Sequence, residues 1–349
     1  LRLAGAVTGE RILAATSPGE VRVALVRGTH LLDYAIWRPG LPDGVGDIHR
    51  GRVTAVMPAM AGAFVALADG DGFLPDSEGA KGLTEGTILP VRITRAAIGG
   101  KGPRLSARNT PASPPGAVGL IARGPSAVDR FAAVYPNAPI TQSDSAFDDE
   151  WEAQIDALAD PNVTLPSGAR LSIHPTPALV AIDTDTAGQR DGHAEVNRTI
   201  IPAIAREIRL RNLSGAIVVD LAGMPIRKRA SLGPAVAAAL AADPLRPRFL
   251  GFSALGLAEI MRTRIHPPLH ELLAGPHAAG LTALRQIARD LDPDPRHLPT
   301  LRAAPAVVEA LQRDPVALKD LANRAGRPLT LRSDPSLTGT AWHLEQEHG

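Results

Sequence analysis

Short apolar runs bounded by turn residues fill most of the first hundred residues. Arg11–Ala15, Val21–Val26 and His30–Ile36 read as short strands separated by a Ser-Pro-Gly-Glu and an Arg-Gly-Thr turn, which predicts a β-meander. A second β-rich block follows with Ile48–Val56, Ala63–Leu67, Gly72–Leu74, Leu89–Ile93 and Pro103–Ser106. Five short strands with Gly-rich turns fit a small barrel of the OB type. From Thr110 to Gly116 the chain reads as a Pro/Ser linker. The stretch Tyr135–Asp149 is polar with no clear period, and Trp151–Leu158 predicts a short helix.

After Leu165 the pattern becomes mixed α/β. Strands at Arg170–Ile173 and Ala178–Asp183 precede a helix from about Glu195 to Arg211. Ile200, Ile201, Ile204 and Ile208 form its apolar face, Arg198, Arg206, Arg209 and Arg211 are expected to be exposed, and Gly215 is the expected stop. The strand Ala216–Asp220 comes next, then an Ala-rich helix over about 228–242, a strand at Arg248–Phe252 and a helix at Leu255–Arg264. Beyond Pro267-Pro268 and Gly275-Pro276, helices near 278–290, 305–313 and 315–325 and strands near 328–332 and 340–344 predict a small α+β domain.

Composition narrows the class. The chain has 349 residues, with 44% hydrophobic and 21% charged, which fits two or three globular domains. The net charge of +1 gives no global electrostatic case for nucleic acid, yet only Lys81, Lys101, Lys228 and Lys319 among the 37 basic residues are Lys. The Arg bias suits phosphate, because a planar guanidinium donates two parallel hydrogen bonds. With no cysteine, disulfides, thiolate nucleophiles and Cys-based zinc sites are excluded. No run approaches 18 apolar residues, so the reading is a cytoplasmic protein with no membrane partner.

Two predicted strands end on carboxylates: Ile182-Asp183-Thr184-Asp185, and Ile217-Val218-Val219-Asp220. Strand ends side by side would hold one hard divalent cation through oxygen ligands, although a strand-end Asp is more often a turn residue. Phe64 and Phe73 lie on predicted barrel strands. On an OB surface such rings stack on unpaired bases, but pattern alone favours both as barrel core. Arg92, Arg95, Lys101 and Arg104 form a basic stretch of the kind that is usually a solvated face. Gly99-Gly100-Lys101-Gly102 lacks the outer positions of a phosphate-binding P-loop, and Gly251-Phe252-Ser253-Ala254-Leu255 lacks the final Gly of a nucleophile elbow.

These motifs, in order, resemble the ribonuclease E/G family. Asp47-Ile48-His49-Arg50-Gly51-Arg52-Val53, Gly62-Ala63-Phe64-Val65 and Gly72-Phe73-Leu74-Pro75 are similar to its S1-like segments. Leu165-Pro166-Ser167-Gly168 and Ala178–Asp183 follow, and the run Ala205–Asp220 is the longest and most specific likeness. The fold the resemblance implies is mixed α/β (α+β) and multidomain. Residues 1–46 would be RNase H-like strands, 47–109 an inserted S1-like OB RNA-binding domain and 110–164 a shortened 5′-sensor and RNase H-like remnant. Residues 165–275 would be a DNase I-like catalytic domain, and 276–349 a small C-terminal domain.

By the same resemblance Asp183 and Asp220 are the catalytic, metal-binding pair, and Asp185, where the family has Asn, is a further metal contact. Phe64, Phe73 and Lys101 would grip RNA, with Arg95 of the basic stretch as a further RNA-binding candidate, and Arg123 would meet a 5′ phosphate. The implied activity is Mg²⁺-dependent (or Mn²⁺-dependent) cleavage of single-stranded RNA to 5′-phosphate and 3′-hydroxyl products, in RNA processing and decay. The family's Cys-x-x-Cys link is missing, which removes a zinc-linked dimer and leaves the oligomeric state open. A weak or inactive S1-type RNA-binding protein is the alternative.

Overall fold

The computed structural model describes residues 9–111, 116–186, 193–221, 223–291 and 298–345. Most of the linker expected at 110–116 therefore lies outside the described residues. The chain divides into two units, one of residues 1–40, 131–263 and 268–349, the other of residues 41–130 and 264–267. Among the described residues no helix is long and apolar enough to cross a membrane.

The smaller unit is a closed barrel. Ile48–Met57 pairs with Gly62–Leu67, which pairs with Gly70–Pro75, then Arg104–Ser106, then Ile88–Arg95, which returns to Ile48–Met57. A sixth strand, Gly119–Ala122, adds to the start of Ile48–Met57. Val53, Ala63, Val65, Leu74, Val91, Ile93 and Leu105 fill the interior. With these residues inside, Phe64 and Phe73 are only half-buried on the strands beside them, which overturns the pattern-based reading of both as core. The Gly-Gly-Lys segment is a hairpin: Ile98 and Lys101 exchange backbone hydrogen bonds across Gly99 and Gly100, both at positive φ. Gly102 must be glycine, because a Cβ there would meet the Asp71 carbonyl oxygen at 1.7 Å.

In the larger unit the N-terminal meander forms a sheet of Glu10–Ser17, Glu20–Arg27 and His30–Trp37. A fourth strand, Ile140–Ser143, runs parallel beside Glu10–Ser17. That strand falls in the stretch for which the sequence showed no period, because its Ile-Thr-Gln-Ser carries one exposed apolar residue. A second sheet has six strands in the order Asn162–Thr164, Arg170–Pro175, Val180–Asp185, Gly215–Asp220, Ala258–Arg262 and Arg248–Phe252. The helices His193–Leu210 and Gly233–Leu240 cover one face of it, with Ile200, Ile201, Ile204 and Ile208 in the core as their spacing predicts.

Three expectations fail here for identifiable reasons. Leu255–Arg264 is not a helix: buried Ala258, Ile260 and Arg262 alternate with more exposed Glu259 and Met261, and a turn at Ser253–Gly256 makes the stretch half of a hairpin. The helix 193–210 is capped at Asn212 rather than Gly215. Asn212 takes φ 48°, its N–H bonds Arg209 O at 3.0 Å and Leu213 N–H bonds Ile208 O at 2.9 Å, a Schellman cap with Leu213 and Ile208 both buried. Of the four arginines expected outside, Arg211 is buried, its Nε 3.1 Å from Glu207, and Arg206 donates to Leu31 O at 2.8 Å.

The last segment packs the helices Gly275–Leu291, Pro305–Gln312 and Pro315–Ala325 on a three-stranded sheet of Leu331–Ser333, Thr300–Ala303 and Trp342–Glu345. Thr300–Ala303 was not foreseen. Helix Gly275–Leu291 carries two arginines one turn apart, one reaching the N-terminal sheet and the other the helix Asp149–Asp156 beside it. Arg285 meets buried Glu20 at 2.9 Å, and Arg289 meets Glu152. Arg22, 4% exposed, binds Glu152 through both guanidinium nitrogens at 2.6 and 2.7 Å and lies over the Phe147 ring at 5.2 Å.

Burial pushes the Glu152 carboxyl up, but Arg22 and Arg289 outweigh it and hold it below its ordinary value of 4.5. A depressed carboxylate contributes stability that is complete above the unfolded value and is lost as pH falls through the folded one. Glu152→Gln is expected to lower stability by about 3 kcal/mol by stranding a buried guanidinium. It should also flatten the fall of Tm between roughly pH 5 and pH 3. Thermal melts across that range check both effects.

Candidate active site

The site follows from one register. Val180–Asp185 and Gly215–Asp220 run parallel, joined through the helix His193–Leu210, and their pairing ends with Asp183 opposite Asp220. Neighbouring strands lie about 4.8 Å apart, and paired residues project from the same face, so the two carboxylates share one patch of the sheet. The alternation fixes which face. Val180, Ile182 and Thr184, like Ile217 and Val219, are buried under the helices, while Asp183, Asp185 and Asp220 are exposed on the other side.

Polar neighbours extend this row. Ser172 is the register partner of Asp183 and Asn162 that of Ser172, whose Oγ donates to Asn162 Oδ1 at 3.0 Å. Asp185 sits two residues further out, opposite Arg170. It shares the face of Asp183. Among the described residues no three His, Asp or Glu converge as a metal group. The structure thus brings Asp183 and Asp220 together and sets Asp185 beyond the pair.

Two further residues hold Asp220. Thr184 Oγ1 donates to the Asp220 carbonyl at 2.8 Å, locking the end of one strand to the other. Arg229 donates from NH1 to Asp220 Oδ1 at 2.7 Å and to Gly256 O at 2.8 Å, with Nε on Met224 O at 3.1 Å. Its side chain is 11% exposed against 51% for Asp220, so a seated guanidinium steers a solvated carboxylate. Arg229 was not singled out in the sequence. Its signal is the Arg227-Lys228-Arg229 run soon after the second strand, which looks like a solvated charge cluster until the turn folds back. The donor set fits a hard divalent cation of the Mg²⁺ kind, which binds through one or two carboxylates and keeps much of its water.

On the barrel, Phe64 and Phe73 are register partners and pack edge to face with centroids 5.6 Å apart. Phe73 is also paired with Arg104, and Arg104 with Arg95, so the aromatic pair and Arg95 belong to one run of neighbouring strands. Lys101 sits on the hairpin just before Arg104, where Phe73 N–H bonds Pro103 O at 2.9 Å. Arg123 stands apart. Its strand pairs at Ile48, whereas Phe64 pairs at Ala55, seven positions or roughly 23 Å along the same strand. Its guanidinium binds buried Asp47 at 2.8 Å, and the other Asp47 oxygen accepts Gly124 N–H at 2.7 Å.

A mixed α/β sheet with paired carboxylates at one strand edge, carried in a chain with a separate five-stranded barrel, is the class that fold and site define. The ribonuclease E/G family model matches residues 136–265, which include the whole carboxylate sheet. The chain is 36% identical to ribonuclease E of Escherichia coli over 127 residues, 34% of this chain and 12% of that protein. It is 37% identical to ribonuclease E of a Nostoc species over 127 residues, again 34% of this chain and 18% of that one. It is 33% identical to Escherichia coli ribonuclease G over 185 residues, 46% of this chain and 37% of that protein. Through this segment the chain is similar to the ribonuclease E/G family. It spans well under half the length of these relatives.

Arg229 places a positive charge where a divalent cation would approach Asp220. Arg229→Gln is therefore expected to tighten Mn²⁺ binding, by up to roughly fivefold given the exposure of the pair. Electron paramagnetic resonance titration of free Mn²⁺ measures this, and unchanged or weaker binding would show that Arg229 does not compete.

Proposed function

We propose that this chain is a Mg²⁺-dependent endoribonuclease that cuts single-stranded RNA, leaving 5′-phosphate and 3′-hydroxyl ends. The observation that carries the reading is the register of Asp183 on Asp220, inside the segment that matches the ribonuclease E/G family. Relatives named ribonuclease E and ribonuclease G supply the reaction class.

Asp183 and Asp220 would hold the cation, which when bound supplies Lewis-acid neutralisation of a phosphate and a more acidic water. Arg229 and Thr184 keep Asp220 in place. The open, polar face of the sheet leaves the carboxylates accessible to an extended backbone. The half-buried Phe64 and Phe73 offer stacking surfaces for unpaired bases, worth roughly 1–3 kcal/mol per base, which favours single strands over duplexes. RNA processing and decay are the settings such cleavage serves.

Incubating the full chain with a 5′-labelled single-stranded RNA, with and without Mg²⁺, tests the proposal. Metal-dependent internal cuts are expected, and Asp183→Ala or Asp220→Ala should slow them by at least roughly 10²-fold. Equal cutting by the variants would place the site elsewhere. RNA retained without cleavage in either Mg²⁺ or Mn²⁺ would leave a binding protein instead.

A further inference from the structure

Two strongly exposed apolar side chains stand at the rim of the carboxylate sheet. Leu255 is 76% exposed, the most of any large apolar residue among those described, and Ile226 is 53% exposed. Single exposed apolar residues are ordinary, so placement rather than exposure carries the argument. The guanidinium that steers Asp220 fixes both. Arg229 Nη1 donates to Asp220 Oδ1 at 2.7 Å and to Gly256 O at 2.8 Å, so the carboxylate and the turn carbonyl lie within the sum of those distances. Leu255 precedes Gly256 in a turn that Gly256 N–H closes on Ser253 O at 2.8 Å. It occupies a position that glycine or a polar residue usually holds. Ile226 packs on Gly256, where a Cβ would meet Ile226 Cγ1 at 3.0 Å.

Charge flanks the apolar pair. Arg227 and Lys228 follow Ile226, are exposed, and form no ion pair among the described residues. The short helix Ile226–Arg229 thus carries an apolar side chain, two solvated cations and the arginine bound to Asp220 in consecutive positions. The neighbourhood selects the occupant. A nucleobase in a single strand presents an apolar face and carries a phosphate on either side, which matches both features. An acidic peptide would satisfy the cations but leave Leu255 and Ile226 in water. An apolar protein surface would cover those two but strand Arg227 and Lys228.

We propose that Leu255 and Ile226 form an apolar platform for the nucleobase next to the phosphate being cut, with Arg227 and Lys228 on the backbone phosphates flanking that base. The platform rests on the RNA-cleaving reading above and deepens it. It gives the carboxylate sheet its own grip on one base, separate from Phe64 and Phe73, and makes cutting depend on a base at a fixed position relative to the cut.

Single-turnover cleavage by the full chain in Mg²⁺ tests this. The substrates are a 5′-labelled single-stranded RNA with one mapped cut, and the same RNA with an abasic residue on the 5′ or the 3′ side of that cut. One of the two abasic positions is expected to slow the parent roughly tenfold, the size of one lost base contact. Leu255→Ser and Ile226→Ser should slow cutting of the intact RNA by a similar factor. They should lose little further on that abasic RNA, because base and platform are two halves of one interaction. Anisotropy titrations in EDTA over a salt series should show the slope of log K against log salt reduced by about 0.7 in Arg227→Gln and in Lys228→Gln, the share of one phosphate contact on a single strand. Val316→Ser removes an exposed apolar residue from the C-terminal helices and should match the parent. Parent-like rates in both Ser variants, or unchanged slopes in both Gln variants, would overturn the platform. So would an abasic penalty as large in the Ser variants as in the parent. A Ser variant that alters sedimentation but not cutting would assign the patch to a second copy of the chain instead. No cutting of any RNA by the parent would remove the nuclease reading itself.

Discussion

The parallel register of Val180–Asp185 on Gly215–Asp220 is the constraint on which the candidate site depends. A slip of one residue would turn every side chain of a strand to the other face. Asp183 would then lie beneath the helices in an apolar core, and Ile182 would stand in solvent. The burial of Ile182, Thr184, Ile217 and Val219 under His193–Leu210 and Gly233–Leu240 forbids that slip, so the hydrophobic core sets the position of the carboxylates. The Thr184 hydroxyl on the Asp220 carbonyl then closes the pairing at its functional end.

The N-terminal sheet is secured differently. Its strands are joined to the later parts of their unit by an apolar cluster that includes Trp151, Leu210 and Leu269 and by ion pairs. Glu20 holds Arg38 and Arg285, and Glu152 holds Arg22 and Arg289. Helix His193–Leu210 adds Arg206 on Leu31 O and Arg209 on Asp33. Arginine suits such positions because its fork satisfies two acceptors at once, which gives a structural use for part of the Arg bias. The barrel unit has a different economy: its core is small and apolar.

Much of this was legible in the chain. The Ile spacing of 200, 201, 204 and 208 predicted both the helix and its buried face, and strand-end Asp183 and Asp220 were visible as carboxylates at a rim. That they face each other was not legible, because spacing does not report parallel pairing. Leu255–Arg264 was misread since a short apolar run fits helix and strand alike, and only the hairpin turn at Gly256 decides. Asn212 rather than Gly215 caps the helix because asparagine tolerates the left-handed conformation that glycine more commonly supplies. Arg229 gains meaning only from contacts made after the chain turns back, which no local pattern encodes.

The central claim is that the Asp183–Asp220 pair brings a hard cation to the phosphate being cut. Replacing one non-bridging oxygen at a cleaved position of the RNA with sulfur tests this most directly, since Mg²⁺ prefers oxygen and softer Mn²⁺ or Cd²⁺ accepts sulfur. The account predicts slowed cleavage in Mg²⁺ and recovery in Mn²⁺ or Cd²⁺ for the parent chain, with no recovery in Asp183→Asn. Equal rates for sulfur and oxygen substrates in Mg²⁺, or a slowing that no softer metal relieves, would contradict it.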